Sequence, residues 1–427
     1  MNGFMDKLSE KIMPLANLLG QNRYLTVLRD AFMLSFPLTM FGSIVVVINN
    51  LPFFSDATKG TLSNLFGNGQ NATMSIMSVF VTFGIGYYLS KSYDVEGIFG
   101  GAVSFASFLI LTPFAMKTVG GEDVTGVLSL DRLGAKGMFI GMIAAFLAGE
   151  IYCRITKRGW QIKMPDGVPP AVTKSFAALI PAVVTLTIFL VINAVMTGIF
   201  NANLHDVVYE VIQKPLTGLG SSLPATLIAL FFVQFLWFFG LHGQIIVNSV
   251  MDPIWNTLML DNLEAYQHGK ELPHIITKPF METFTVGIGG SGMTLAVVLL
   301  MAFVLKKKQY RDVGRLALAP GIFNVNEPAI FGLPIVLNAT ILIPWVVAPL
   351  IVTTFNYLVM AAGLVPAPTG ISVPWTVPII ASGVLATNSW LGGMLQVIDF
   401  VIDFVIVAFI WYPFLKVLDK QPDLDIA

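Results

Sequence analysis

Two ionisable side chains of this sequence stand inside long apolar stretches. His242 lies next to Gly243 in the apolar segment 237–244, and Glu327 lies between prolines and a glycine in the segment 320–332. Ionisable residues at membrane depth are costly and usually mark substrate or ion pathways. We therefore take His242 and Glu327 as the leading candidates for ligand binding and proton transfer.

Each of these two residues also has a plain structural interpretation. A core histidine can pair with a neighbouring carbonyl group, and a carboxylate can cap a broken helix. The glycines around His242 and the nearby Gln244 favour close approach of a ligand instead. Pro328 disfavours a helical conformation for Glu327, which predicts a loop or the end of a half-helix. A carboxylate there can accept hydrogen bonds from two sugar hydroxyls, or take a hydroxyl proton as a general base.

A third cluster combines tryptophan with helix-breaking residues. Trp375 stands between Pro374 and Pro378, and Trp390 follows the polar run 387–389. An aromatic ring packs well on the apolar face of a pyranose, but tryptophan is also a common anchor at the membrane interface. The proline-rich break favours sugar stacking for Trp375, whereas the anchor role is favoured for Trp390.

Other conspicuous residues receive structural interpretations. Asp399 and Asp403 are four residues apart and share a helix face, where they either bind a cation or face a polar seam; we favour the seam. Glu150 can pair with Arg154 one helical turn later. The glycine-rich run 287–292 lacks the lysine and the preceding strand of a phosphate loop, so helix breaking or close packing is expected.

The composition makes lipid the solvent for most of this chain. Of its 427 residues, 55% are hydrophobic and 11% are charged, whereas an average soluble protein has about 25% charged residues. The 24 basic and 25 acidic residues nearly balance, so no basic excess points to nucleic acid. Cys153 is the single cysteine, which excludes an internal disulfide and CxxC motifs. We predict neither a metal site nor a cofactor.

The candidate residues must be held by membrane-spanning helices. A helix needs about 20 mostly apolar residues to cross the hydrocarbon core. Because positive residues mark cytoplasmic loops, the lysine and arginine clusters place both chain ends and the segment 306–315 inside, and leave the loop 117–136 outside. The stretches that can span are 28–50, 72–90, 96–116, 137–153, 175–200, 223–250, 284–305, 333–363 and 390–415.

Three further segments, 250–283, 317–332 and 371–388, are too polar or too rich in proline and glycine for regular spans. A single crossing at 284–305 would leave the lysines that follow it outside. The segment 250–283 must therefore contain a crossing or a pair of half-helices. Broken elements at membrane depth carry the substrate site in many transporters.

All three broken segments lie in the second half of the chain, which indicates a division of labour. We predict a scaffold domain over 1–204 and a transport domain with re-entrant segments over 205–427. The segment 201–217 is predicted to be an interfacial amphipathic helix joining the two domains. Its polar side is formed by Asp206, Glu210, Gln213 and Lys214, and its apolar side by Val207, Val208, Val211 and Ile212.

The motifs around the candidate residues resemble those of one transporter family. The segment 321–328, Gly-Ile-Phe-Asn-Val-Asn-Glu-Pro, with Phe-Gly-Leu-Pro at 331–334, resembles the signature loop of enzyme IIC permeases. These permeases belong to the phosphoenolpyruvate-dependent sugar phosphotransferase system. The segments 238–243 and 374–376 resemble its lactose, cellobiose and diacetylchitobiose branch, and the resemblance extends over nearly the whole chain.

This resemblance implies an all-α polytopic membrane protein with about ten transmembrane helices and re-entrant hairpins. Such permeases are homodimers, with the N-terminal half at the interface and the sugar held by the C-terminal half. They move the sugar across the cytoplasmic membrane of a bacterium by an elevator-like shift. A phosphocysteine of enzyme IIB phosphorylates the sugar at its 6-hydroxyl, and enzyme IIA takes part indirectly.

By the same resemblance, His242 and Glu327 match positions beside the 6-hydroxyl, which makes them catalytic candidates as well as sugar contacts. Asn326 and Trp375 match sugar-contacting positions. We add Gln244 because it lies close to His242 in the sequence.

Enzyme IIB is expected to be a separate partner. Cys153 lies at the end of a span rather than in a soluble phosphate loop, so it is not expected to be the phosphocysteine. The chain would then be the membrane subunit of a sugar phosphotransferase and would phosphorylate nothing alone. The sequence does not distinguish diacetylchitobiose, cellobiose, another β-glucoside or lactose as its sugar. It also leaves open whether His242 or Glu327 accepts the hydroxyl proton.

Two other functions fit the same residues. In a proton- or cation-coupled secondary transporter, His242 and Glu327 would form a proton relay and Asp399 would hold a cation. A permease-derived sugar sensor would bind sugar without transporting it. Formation of sugar phosphate only with enzyme IIB would exclude the first function, and uptake into vesicles would exclude the second.

Overall fold

A computed structural model describes residues 22–49, 54–117, 123–333, 335 and 339–420, and these residues are mostly helical. The helices in chain order are α1 (Arg23–Asn49), α2 (Asp56–Asn71), α3 (Met77–Ser92), α4 (Gly97–Leu111), α5 (Leu130–Leu133), α6 (Met138–Lys157), α7 (Pro170–Gly198), α8 (Leu204–Val208), α9 (Lys214–Gly220), α10 (Leu223–Phe238), α11 (Gly243–Gln267), α12 (Lys278–Thr283), α13 (Leu295–Phe303), α14 (Lys308–Ile322), α15 (Glu327–Gly332), α16 (Ala339–Ala361), α17 (Ala381–Thr387), α18 (Trp390–Ile406) and α19 (Tyr412–Lys420). One short antiparallel hairpin, β1 (Ala115–Lys117) with β2 (Asp123–Thr125), lies beside them.

The helical membrane-protein class predicted from composition is confirmed. Within the described part of the chain, the helices long and apolar enough to cross a bilayer are Arg23–Asn49, Ala57–Ser92, Met138–Lys157, Pro170–Gly198 and Pro344–Ala361. A further crossing forms if Leu204–Gly220 and Leu223–Phe238, which meet at an angle of 72°, act as one broken span. The remaining predicted crossings are divided among shorter helices.

The second predicted span, 72–90, starts too late in the sequence prediction. The stretch 72–90 is preceded by the helix α2, which Ser55 caps by accepting a hydrogen bond from the backbone N–H of Thr58. This helix is rich in glycine, serine, threonine and asparagine, so its composition hides it. It continues through a short 3₁₀ turn (Met74–Ile76) into α3.

The predicted span 223–250 is also wrong, because the chain breaks between α10 and α11. Gly240 adopts φ of 76°, which glycine tolerates. His242 then caps the N-terminus of α11, which continues as one regular helix to Gln267. The first half of the mixed segment 250–283 is therefore ordinary helix, and only its second half is broken.

The predicted span 284–305 is helical only in α13. Residues 284–294 form successive turns, in which Gly289, Gly290 and Gly292 have φ values of 81°, 82° and 77°. A Cβ atom on Gly290 would lie 2.5 Å from the carbonyl oxygen of Asn324. The glycine run thus permits close packing between broken elements, as expected, and does not continue a span.

The other two broken segments are largely confirmed. The segment 317–332 begins as the end of α14, which was not predicted, and then breaks at residues 323–326 before α15. The segment 371–388 is irregular up to α17, and Ile380 at its entrance has φ of 71°, an unusual value for a β-branched residue. The long stretch 333–363 contains one helix, α16, and part of its start lies outside the described residues.

Residues 204–217 are helical, with a π-helical turn at Tyr209–Gln213, but the polar face predicted for the segment 201–217 is only partly correct. Gln213 is buried and its amide donates to the carbonyl oxygen of Ala135 at 3.0 Å, whereas Val211 is exposed. Asp206 forms an ion pair with Arg132 at 2.9 Å, so the segment is fastened to the first half of the chain. The boundary near residue 205 between two domains remains a prediction.

Candidate functional site

A cavity of about 480 Å³ lies where α1 meets the broken elements of the second half. Its lining includes side chains of α1, α11 and α12, the glycine turn, the loop 323–326 and the loop 371–380. The five residues singled out from the sequence all line it, namely His242, Gln244, Asn326, Glu327 and Trp375. The structure therefore brings together residues that are as much as 133 positions apart (375 − 242) in the chain.

His242 is held at the beginning of α11. Its Nδ1 accepts a hydrogen bond from the backbone N–H of Ile245 at 3.4 Å, and its ring centroid is 4.3 Å from that of Trp237. A neutral imidazole has one N–H donor and one acceptor. With Nδ1 as the acceptor, Nε2 carries the proton and is a hydrogen-bond donor.

Glu327 is the first residue of α15, in agreement with the predicted half-helix end. Its side chain is half-buried, and its Oε2 atom is buried with no hydrogen-bond partner among the described residues. An unpaired buried carboxylate oxygen costs free energy until a donor reaches it. Glu327 therefore offers a strong acceptor to a ligand that carries a hydroxyl group.

The position of Glu327 depends on two buried asparagines in the preceding loop. The Asn326 amide donates to the carbonyl oxygen of Ser291 at 2.5 Å and to Thr294 Oγ1 at 3.2 Å. Asn324 accepts from the backbone N–H of Gly289 at 2.8 Å, and its amide donates to the carbonyl oxygen of Trp375 at 2.6 Å. Asn326 thus has a bracing role besides lining the cavity.

Asn324 was missed by the sequence prediction although it joins three separate segments of the cavity wall. A second bond from its amide reaches the carbonyl oxygen of Val377 at 3.2 Å. Its φ of 63° is in the left-handed region, which asparagine tolerates better than most residues. The one sequence signal for it is an asparagine between apolar residues in a segment that already contained a candidate.

Trp375 lines the cavity, whereas Trp390 is not among its lining residues and is more exposed, at 65% against 45%. If Trp375 stacks on a sugar ring, Trp375→Ala should weaken sugar binding by about 1–3 kcal/mol, the range found for base–aromatic stacking. Trp390→Ala is the matched control and should change the dissociation constant little. Equal dissociation constants for Trp375→Ala and the unmodified protein would instead favour an anchor role for Trp375.

A row of polar residues on α11 was also missed. Gln244, Asn248, Asp252 and Asn256 are spaced four residues apart and all line the cavity. Gln244 accepts a hydrogen bond from Ser291 Oγ at 2.7 Å, which ties α11 to the glycine turn. The spacing is visible in the sequence and places the four residues on one helix face, but of the four only Gln244 was predicted to contact the ligand.

Of the residues given structural interpretations, Glu150 pairs with Arg154 as predicted. Asp399 and Asp403 are fully buried, and the Asn356 amide donates to Asp399 Oδ2 at 2.9 Å. Asp399 Oδ1 and both carboxylate oxygens of Asp403 have no hydrogen-bond partner among the described residues, so the polar seam stays a prediction. Glu150 accepts from Arg154 Nε at 2.9 Å and also from Tyr93 at 2.7 Å. Within the described ranges, no group of three or more histidine, cysteine or acidic side chains is arranged to hold a metal ion.

Comparisons with known proteins converge on one family. A profile described as "Phosphotransferase system, EIIC" matches residues 29–349. The oligo-beta-mannoside-specific EIIC component of Bacillus subtilis (strain 168) is 61% identical over 97% of this chain and 94% of its own length. The cellobiose-specific EIIC component of Geobacillus stearothermophilus is 39% identical over 99% of this chain and 95% of its own length.

A solved structure is similar over the same extent. The crystal structure of the transporter ChbC, the IIC component of the N,N′-diacetylchitobiose-specific phosphotransferase system, superposes with a TM-score of 0.90. Its sequence is 39% identical, and the match covers 97% of this chain and 98% of the other.

Proposed function

Since this chain belongs to the EIIC family of the phosphotransferase system, we propose that it binds a β-linked disaccharide and carries it across the cytoplasmic membrane. In this proposal a separate enzyme IIB phosphorylates the sugar at its 6-hydroxyl during transport. The observation that carries the proposal is the single cavity lined by His242, Glu327 and Trp375, which combines a donor, an acceptor and an aromatic face. A volume of about 480 Å³ is within the range of about 300–1,000 Å³ typical of small-molecule sites.

The substrate class is supported by the names of the relatives. They are named for oligo-β-mannosides, cellobiose and N,N′-diacetylchitobiose, and these share a β-linkage between pyranose rings. A pyranose presents apolar C–H faces and a rim of hydroxyl groups. Trp375 suits the face, and the polar residues of the cavity suit the rim.

The geometry favours Glu327 as the group that accepts the hydroxyl proton. His242 has Nε2 as its donor, so it can hydrogen-bond to the 6-oxygen, while Glu327 Oε2 is free to accept the hydrogen of that hydroxyl. As the oxygen attacks phosphorus and the bond to the IIB cysteine breaks, the proton passes to Glu327. The carboxyl group then becomes neutral, which relieves its repulsion of the transferred phosphoryl group.

A smaller cavity of about 190 Å³ suggests which end of the site faces enzyme IIB. It joins Leu25, Thr26 and Arg29, near the beginning of α1, to His242. The charge pattern predicts that the N-terminus is cytoplasmic, so His242 would lie toward the side where enzyme IIB acts. Arg29 lines both cavities and forms an ion pair with Asp30 at 2.8 Å; its guanidinium could donate hydrogen bonds to the phosphoryl group where it arrives.

For transport we propose about ten membrane crossings. Single long helices form some of them, and pairs of shorter helices form the rest. The half over 1–204 is the fixed scaffold, and the half over 205–427 is the moving domain of an elevator-type homodimer. The cavity lies between α1 and the broken elements, so displacement of the second half against α1 would open it to one side or the other.

The test of this function is reconstitution. Vesicles containing the purified chain should convert external cellobiose to internal cellobiose phosphate only when they enclose phosphorylated enzyme IIB. Uptake of unmodified sugar driven by a proton or sodium gradient would favour the secondary-transporter alternative. Binding without any uptake would favour the sensor.

Membrane orientation gives a second prediction. In a Cys153→Ser background, cysteines at Lys307 and Lys420 should resist an impermeant thiol reagent applied to intact cells, because basic clusters stay inside. A cysteine at the exposed Thr125, in the loop predicted to be outside, should react and serves as the control. Strong external labelling at both lysine positions would overturn the orientation.

The proposed dimer has a candidate surface on α7. In the most apolar stretch of α7, only 22% of the residues are buried. This is the smallest share among the five long apolar helices of the described residues. We expect a cysteine at Leu190 on α7 to cross-link two copies, whereas one at Val397 on α18, which is also exposed, should not. A monomer that retains full uptake would contradict the dimer.

A further inference from the structure

The cavity continues well beyond His242 along one face of α11. Gln244, Asn248, Asp252 and Asn256 form a ladder of polar groups, which we call the α11 ladder, and every member lines the cavity. At a rise of about 1.5 Å per residue, the ladder extends about 18 Å along the helix. Polar side chains repeated on one face of an apolar bundle are costly, which marks this ladder as a candidate site for a polar ligand.

One ladder residue, Asp252, forms a charged trio with Lys278 and Glu282 of α12. Lys278 Nζ lies 2.6 Å from Asp252 Oδ1 and 2.7 Å from Glu282 Oε1, and the three side chains are only 11–19% exposed. With its amide oxygen turned toward the ammonium, Asn248 accepts from Lys278 at 3.2 Å. The Asn256 amide donates to the carbonyl oxygen of Asp252 at 2.8 Å. The trio is therefore a fixed arrangement of two acceptors around one donor.

The trio is too far from His242 to serve the ring that is phosphorylated. Asp252 follows His242 by ten positions (252 − 242), which corresponds to about 15 Å along the helix axis. A pyranose ring built from bonds of about 1.5 Å is about 5 Å long. A sugar whose 6-hydroxyl meets His242 and Glu327 can reach the trio only through a second ring.

We propose that Asp252, Lys278 and Glu282 bind the hydroxyl groups of the second sugar ring and thereby set the specificity of the permease. This proposal rests on the function proposed above. The two carboxylates share one ammonium group, which leaves them lone pairs to accept further hydrogen bonds, and an unsubstituted ring supplies a donor from each hydroxyl. An acetamido group replaces one hydroxyl by a bulkier substituent with one N–H. The site therefore favours hydroxylated disaccharides such as cellobiose or β-mannobiose over diacetylchitobiose.

Equilibrium binding to the purified full-length chain tests this assignment. The probes are cellobiose, β-mannobiose, diacetylchitobiose and the one-ring analogue methyl β-glucoside. Asp252→Asn leaves Lys278 paired with Glu282, so the variant should fold. It should weaken cellobiose and β-mannobiose at least about tenfold, because a site built to bind hydroxyls discriminates strongly, and should change methyl β-glucoside binding less than about twofold. Glu264→Gln, at an exposed position of the same helix, is the control and should change neither.

Three outcomes would overturn the assignment. They are unchanged disaccharide affinity in Asp252→Asn, an equal loss for one-ring and two-ring sugars, and tighter binding of diacetylchitobiose than of cellobiose by the unmodified chain. Phosphorylation of cellobiose and β-mannobiose by phosphorylated enzyme IIB is measured alongside with the unmodified chain. If either sugar is phosphorylated while the assignment fails, the proposed function stands; if both bind but neither is phosphorylated, the proposed function fails as well.

Discussion

Replacing Glu327 by glutamine is expected to lower the rate of IIB-dependent sugar phosphorylation by about 10²–10⁴-fold, the usual contribution of a positioned general base. The amide keeps the size of the side chain and can still accept a hydrogen bond from a hydroxyl. It cannot take up the proton that the 6-hydroxyl releases as the oxygen attacks phosphorus. Sugar affinity should therefore fall much less than the rate.

His242→Gln gives the complementary result. If His242 only donates from Nε2 to the 6-oxygen, a glutamine amide can replace that donor. The rate should then fall by less than in Glu327→Gln, although the cap on the Ile245 N–H is altered. If His242 were the base instead, His242→Gln would be the slower variant.

The measurement is single-turnover transfer from phosphorylated enzyme IIB to cellobiose at saturating sugar, with binding constants measured in parallel. The ranking of the two variants decides the identity of the base. Rates equal to that of the unmodified protein in both variants would show that the chemistry lies elsewhere in the molecule.

The residues with direct chemistry could be predicted from the sequence for a physical reason. An ionisable side chain at membrane depth is costly and is usually retained for a function, and an aromatic ring beside a proline-rich break can pack on the apolar face of a pyranose. This reasoning found His242, Glu327 and Trp375, and the structure places them on one cavity. It also assigned Asp399 to a polar seam, where Asn356 donates to one of its two carboxylate oxygens.

The helix boundaries and bracing contacts could not be predicted in the same way. The turns over 284–294 have the apolar composition of a span, and only the positive φ values of their glycines separate the two. Asn324 meets its partners Gly289 and Trp375 across 35 and 51 positions of the chain. Such contacts form only when the broken elements pack together, so no local sequence pattern predicts them.

Replacing Asn324 by alanine is expected to have the largest effect on the shape of the site. The change removes the acceptor for the Gly289 N–H and the donor for the carbonyl groups of Trp375 and Val377. Each buried polar group left unpaired costs about 1–3 kcal/mol. The loop that carries Trp375 would lose its fixed position, so we expect a clear drop in thermal stability and a loss of sugar affinity at least as large as that of Trp375→Ala.

The backbone at Asn324 requires its own control, since alanine tolerates a φ of 63° less well than asparagine does. Asn201 has φ of 46° at an exposed position, so Asn201→Ala measures the cost of that conformation away from the site. Asn324→Asp keeps the acceptor for Gly289 but sets a carboxylate oxygen against the carbonyl groups of Trp375 and Val377. It should therefore lower sugar affinity although its shape is nearly that of asparagine. If Asn324→Ala melts and binds sugar as Asn201→Ala does, the three hydrogen bonds do not position Trp375, and the ring must be held by its packing alone.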